Sequence, residues 1–139
     1  NLLTEKQYLE YPLRYIKKIL KKLSEDPVTN KTPTIVFARD PKCNLGEFKL
    51  DDLSCYGMFT SVDPSRAIDV FKGSHALQGN LDPKILLEDD AIIKESVLKI
   101  LHEFKDFPGY IFNLGHGITP DINPDKVKVL VEAIRESGS

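Results

Sequence analysis

Hydrophobic and polar positions along the chain switch between two patterns. Short runs, β-branched or aromatic in all but the third, stand at Thr34 to Ala38, Tyr56 to Ser61, Ser74 to Gln78 and Tyr110 to Gly117. Each reads as a strand, and the first reads as one buried on both faces. Between them, apolar residues return every three or four positions, which is the period of a helix with one buried face. Tyr8, Tyr11, Tyr15, Ile19 and Leu23 mark a helix over 4–23 that buries this stripe. Ile93, Val97, Ile100, Leu101 and Phe104 mark a second over Asp90 to Phe104, and Val127, Leu130, Val131 and Ile134 a third near the end.

Helix boundaries are written in side chains that accept hydrogen bonds from the first turn. Thr4 with Gln7 forms a capping-box pattern, Asn44 precedes Glu47, and Asp63-Pro64 and Asn123-Pro124 each place a cap before a proline at the first helical position. The helix after Asn44 turns Phe48 and Leu53 inward, and the one after Asp63 buries Ala67, Ile68, Val70 and Phe71. Gly73 closes the latter, and Gly138 stands where a C-terminal cap would.

Four strands alternating with helices imply parallel pairing and right-handed crossovers. Two architectures satisfy that reading: a small open doubly wound sheet, or four consecutive units of a TIM-type β/α barrel, whose full form takes about 250 residues. As a half-barrel, the chain would leave two unpaired edges and an inner layer of apolar side chains, Ile35, Phe37, Ile111 and Leu114, without a facing layer.

Composition narrows the classes further. With 139 residues and 41% hydrophobic content, the chain is the size of one domain. Its net charge of -2 offers no basic footprint for nucleic acid. Lys17, Lys18, Lys21 and Lys22 alternate with Ile16, Ile19, Leu20 and Leu23 and read as a solvated helix face. Cys43 and Cys55 have no metal-type spacing with each other or with His75, His102 and His116, and form no disulfide framework. No apolar run reaches the roughly 20 residues of a membrane helix. The first residue is Asn, not Met, so the chain is expected to be a fragment or a processed product, and the absence of a leader says nothing about compartment.

Candidate chemistry gathers at strand ends. Gly115 and Gly117 flank His116 where the last strand must turn, at the carboxyl edge where α/β folds bind ligands. An imidazole there can donate to an anion, carry a proton, or merely cap its own loop. Arg39 ends the first strand and can grip a carboxylate or pair with Asp40. Gln78, Asn80 and Asp82 lie in the mouth after the third strand, with Asn80 and Asp82 expected chiefly to brace that loop. Asp63 is read as a cap and His102 as solvent-facing.

Two strings carry a resemblance. Leu77-Gln78-Gly79-Asn80-Leu81-Asp82-Pro83 is followed by Tyr110-Ile111-Phe112-Asn113-Leu114-Gly115-His116-Gly117-Ile118 with Pro120 and Asn123-Pro124, and Ile35-Val36-Phe37-Ala38-Arg39 lies upstream. In these the chain resembles the C-terminal two-fifths of the uroporphyrinogen decarboxylase family. The resemblance implies a single partial domain over 1–139, the C-terminal portion of a β/α barrel. It also implies a cofactor-free carboxy-lyase that removes the four acetate carboxyl groups of uroporphyrinogen to give coproporphyrinogen in heme biosynthesis, acting as a homodimer in the cytoplasm or, with a transit peptide, a plastid.

The partners so implied are the porphyrinogen, a second copy of the full-length chain and the missing N-terminal half of the barrel, with no nucleic acid and no membrane. His116 matches the family's substrate-contacting histidine, with Arg39, Gln78, Asn80, Gly115 and Gly117 as further cleft-lining positions. No catalytic residue is assigned within the chain and no metal is expected. The family's arginine-rich N-terminal segment, aspartate, tyrosine and serine fall before Asn1, so the fragment alone is expected to be inactive. Two positions depart from the family pattern: Arg39 stands where lysine is usual, and Met58-Phe59-Thr60-Ser61 replaces a Leu-Asp-Trp-Thr segment, turning an acidic residue into Phe59.

Two other functions compete. A zinc-dependent methyltransferase of the same superfamily would need histidine and cysteine ligands, and no His-x-Cys pattern occurs. A non-catalytic flavodoxin-like binding module would carry a phosphate loop after the first strand, which Arg39 to Asn44 does not provide.

Overall fold

A computed structural model describes residues 3–41 and 43–138. The chain opens with a helical rod: α1 (Glu5–Tyr8), a π-wound turn at Leu9–Leu13 that contains Pro12, and α2 (Arg14–Glu25). The Thr4 and Gln7 capping box is formed in both directions. The buried stripe differs from the one expected. Leu13 and Leu20 enter the core with Leu9 and Ile16 beside them, whereas Tyr11, Tyr15 and Ile19 remain exposed. Both stripes have helical spacing, and the aliphatic one wins because it faces Leu45, Phe48 and Leu53 in the shared core.

The strands are β1 (Ile35–Phe37), β2 (Cys55–Gly57), β3 (Ala76–Gln78) and β4 (Tyr110–Ile111), parallel throughout and ordered β1-β2-β3-β4. Sequential order without a reversal is the topology of barrel units, not of a doubly wound sheet, which reverses at its switch point. Val36, Tyr56, Leu77 and Tyr110 share one face of the sheet. Tyr56 and Leu77 are wholly buried among Phe48, Phe71, Ile93 and Val97.

The opposite face carries Phe37, Gly57, Gln78 and Ile111 in register. There Ile35 is 52% exposed, Phe37 50% and Ile111 44%. The first strand is therefore covered on one face, not on both. Helices cover only the outer side, and the inner side is where a barrel places its second layer of side chains. Leu114, expected on that open layer, is instead half-buried and bridges Leu81.

The remaining elements follow their caps. Asn44 accepts from Gly46 N–H, but the helix it starts is a single 3-10 turn, Leu45–Phe48, with Phe48 and Leu53 buried as expected. α3 (Pro64–Phe71) begins at Asp63, whose carboxylate accepts from Ser65 N–H, and ends before Gly73 at φ 75°. α4 (Asp90–Glu103) buries Ile93, Val97 and Ile100 and leaves His102 exposed. α5 (Pro124–Ser137) buries Leu130 and Ala133, while Val131 faces outward. A second 3-10 turn, Pro83–Leu87, has no counterpart in the sequence reading. No helix among the described residues is long and apolar enough to cross a membrane.

One side chain in the core is poorly matched to its place. Tyr56 is stacked on Phe71 (centroids 5.1 Å apart) and tilted against Phe48 (4.8 Å), yet its hydroxyl has no hydrogen-bond partner among the described residues. Burial pushes this phenol well above its ordinary range, with Tyr8 and Cys43 adding to the shift. Tyr56→Phe keeps the rings and removes the orphaned hydroxyl, so it should raise stability by about 1 kcal/mol. Urea unfolding of the full-length protein checks this, and a loss of stability would show that the hydroxyl is satisfied.

Candidate active site at the carboxyl ends of the strands

Beyond their last ladder residues the strands continue as loops that remain tied together. β2 stops at Gly57 rather than continuing to Ser61, because the chain turns and Val62 N–H donates to Phe59 O (2.9 Å). The side chain of Asn80, buried after β3, donates to Phe59 O (3.0 Å) and Val62 O (2.7 Å). Gly115 N–H donates to Leu81 O (2.9 Å), and Leu81 N–H to Asn113 O (3.3 Å). The hydroxyl of Tyr110 donates to Gly79 O. Three loops, after β2, β3 and β4, therefore form one hydrogen-bonded rim.

Glycine is required where these loops touch. A Cβ on Gly115 would stand 2.7 Å from Thr60 N and 2.9 Å from Asn80 O. Gly79 has φ 118°, and its Cβ would meet Met58 O at 2.8 Å. A side chain at either place would push the loops apart.

The rim encloses a cavity of about 290 Å³ lined by Arg39, Phe59, Thr60, Asp82, Pro83, Lys84, His116, Gly117 and Thr119. His116 is exposed to it and rests edge-on against Phe59, with centroids 5.9 Å apart at 77°, while Phe59 meets Phe37 at 6.4 Å. Its Nδ1 lies 3.2 Å from Gly117 O. A carbonyl only accepts, so this contact needs a proton on Nδ1 and leaves Nε2 for the cavity. The loop-capping bond thus leaves the other ring nitrogen without a hydrogen bond among the described residues. The guanidinium of Arg39 forms no ion pair or hydrogen bond among the described residues, so it does not pair with Asp40, which lines a separate depression with Cys43, Asp63 and Arg66.

Arg39, Asp82, His116 and Gly117 are brought together at the cavity; Gln78, Asn80 and Gly115 are not among its lining. Gln78 lies on the inner face of β3 opposite Ile111. Asn80 turns into the protein to brace the neighbouring loop, and Gly115 is buried as a spacer. Asp82 both lines the cavity and caps the following turn by accepting from Lys84 N–H (2.9 Å). Lys84, Thr60 and Thr119 were not singled out from the sequence. Their common signal is position: each lies on the loop that follows a strand, Thr60 after β2, Lys84 after β3 and Thr119 after β4.

A family model described as uroporphyrinogen decarboxylase matches residues 1–137. The chain belongs to the uroporphyrinogen decarboxylase family. Similar proteins of that name include one from Alcanivorax borkumensis, 36% identical over 134 residues, which cover 96% of this chain and 38% of the relative. Another, from Chlorobium chlorochromatii, is 38% identical over 145 residues covering 100% of this chain and 40% of that protein. The chain thus spans about two-fifths of the length of these family members. Among solved structures, a methyltransferase from Methanosarcina mazei superposes with TM-score 0.77 at 16% identity, covering 99% of this chain and 39% of its own. At that identity the likeness concerns the fold.

The rim geometry gives a direct expectation. Gly79→Val places a branched side chain at a positive φ and against a backbone oxygen, which should cost about 3 kcal/mol of stability. Thermal unfolding of the full-length protein measures it. A variant that melts with its parent but fails to bind ligand would make this glycine a ligand contact rather than a spacer.

Proposed function

We propose that the chain is the C-terminal half-barrel of a uroporphyrinogen decarboxylase, a single partial domain that supplies one side of the substrate cleft. The observation that carries this reading is that His116 shares one cavity at the strand ends with Arg39, which has no ion pair or hydrogen bond among the described residues, in a chain of this family. Decarboxylating a pyrrole acetate requires protonating the ring so that it can accept the electron pair of the breaking C–C bond, and holding the anionic substrate while carbon dioxide leaves.

In this chain the holding role falls to Arg39, which offers a planar fork to a carboxylate, and to His116. His116 stands with Arg39 on the same cavity, where an imidazole can bind an anion. Phe59 and Phe37 give the adjoining wall an apolar surface suited to a pyrrole. Groups that protonate the ring are expected from the remainder of the full-length chain, and the 139 residues by themselves are expected to be inactive. The full-length protein is expected to act as a homodimer.

His116→Asn in the full-length protein should lower coproporphyrinogen formation roughly 10- to 100-fold, the loss of one charge-assisted hydrogen bond, while leaving the melting temperature unchanged. Unchanged turnover and unchanged substrate affinity would remove His116 from the site.

A further inference from the structure

The cavity holds a cation that neither the strand-end motifs nor the proposed holding pair uses. Lys84 lines it together with Arg39 and His116, on the loop after β3. We propose that Lys84 is a second carboxylate-binding residue, gripping a carboxylate on the substrate's rim other than the one held by Arg39 and His116. This rests on the decarboxylase reading of the site.

Three observations support it. The ammonium of Lys84 forms no ion pair or hydrogen bond among the described residues, whereas Lys126 and Lys128 are engaged by Asp90 (2.8 Å) and Asp125 (2.6 Å). Its backbone is pinned: Lys84 N–H donates to Asp82 Oδ1, Ile85 N–H donates to Asp82 O (3.1 Å), and Pro83 and Leu86 on either side are buried. The base of the side chain is thus fixed at the lining of the cavity. Finally, among the described residues Asp82 is the sole acid on the lining, against Arg39 and Lys84, so the lining carries excess positive charge even with His116 left out of the count.

Cations held around one concavity with their charges unanswered favour an anion with several separated negative groups, because each group relieves one cation and their mutual repulsion together. A porphyrinogen bearing carboxylates around its rim has that form. Lysine suits the second position because a point charge on a flexible stem can follow a side-chain carboxylate, whereas Arg39 fixes the orientation of the first. A carboxylate held by Lys84 is present in ground state and transition state alike, so its contribution is to binding.

The test uses the full-length protein with uroporphyrinogen as substrate and uroporphyrin, its oxidised form, as a binding probe. Lys84→Gln should raise KM and weaken uroporphyrin binding about tenfold, with the loss concentrated in KM rather than kcat. Lys84→Arg should recover most of it, and the salt dependence of kcat/KM should become shallower in the glutamine variant. Lys72→Gln, at the exposed end of α3, controls for overall charge. KM and probe affinity within about twofold of the parent, or an equal loss in Lys72→Gln, overturns the role of Lys84 and leaves the decarboxylase reading intact. A parent that binds uroporphyrin without decarboxylating uroporphyrinogen, with weaker binding in Lys84→Gln, sinks the activity and keeps the anion contact. A parent that neither binds nor decarboxylates overturns both.

Discussion

The rim of the strand ends depends on one buried amide. Asn80, 6% exposed, sends the hydrogens of its side-chain amide to the carbonyls of Phe59 and Val62. Those carbonyls belong to the turn that ends β2 and aims the ring of Phe59, which in turn lies against His116. The backbone of the same asparagine packs against Gly115, which precedes the histidine. Removing the amide would take one donor from Phe59 O, which keeps Val62 N–H, and the side-chain donor from the buried end at Val62 O, at about 1–3 kcal/mol. A residue with the look of a ligand contact therefore works as the fastener for the residues that face the ligand.

The placement of the charged groups follows from parallel topology. Every strand enters the same edge of the sheet, so each loop that follows contributes to one mouth: Arg39 from β1, Phe59 and Thr60 from β2, Lys84 from β3 and His116 from β4. Positions far apart in sequence thereby share one cavity without any single loop having to be long. The apolar face on the other side of the sheet, with Ile35, Phe37 and Ile111 half open to solvent, is the layer that the rest of a barrel fills. The same Phe37 reaches from that layer to Phe59, which joins the packed interior to the wall of the site.

Much of this was readable in the sequence, and what was missed has physical reasons. Caps and prolines located α3 and α5 closely, because a hydrogen-bonding side chain before a first turn is local chemistry, and the apolar period located α4. The buried stripe of α2 was misread because two apolar stripes share one period, and only tertiary packing chooses between them. The strands proved shorter than their apolar runs, since β2 and β4 give way to turns tied by Asn80 and by Gly115 N–H, bonds between residues distant in the chain. Arg39, His116 and Gly117 were legible as strand-end residues. Lys84 was not, because nothing local distinguishes a lysine on a mouth from the solvated lysines of α2; only the cavity does. Phe59 was noted as a departure from an acidic residue, and the structure gives it a position beside His116.

The dependence of the rim on Asn80 is open to one direct measurement: amide hydrogen exchange of the full-length protein carrying Asn80→Asp, which keeps the shape but turns two donors into acceptors facing carbonyls. The expected result is that Val62 N–H and Gly115 N–H, bonded to Phe59 O and Leu81 O, lose roughly 100-fold in protection while Leu77 N–H, bonded to Gly109 O within the sheet, keeps its own. Equal protection of all three amides in variant and parent would contradict it, and would mean that the strand-end loops hold their arrangement without the asparagine.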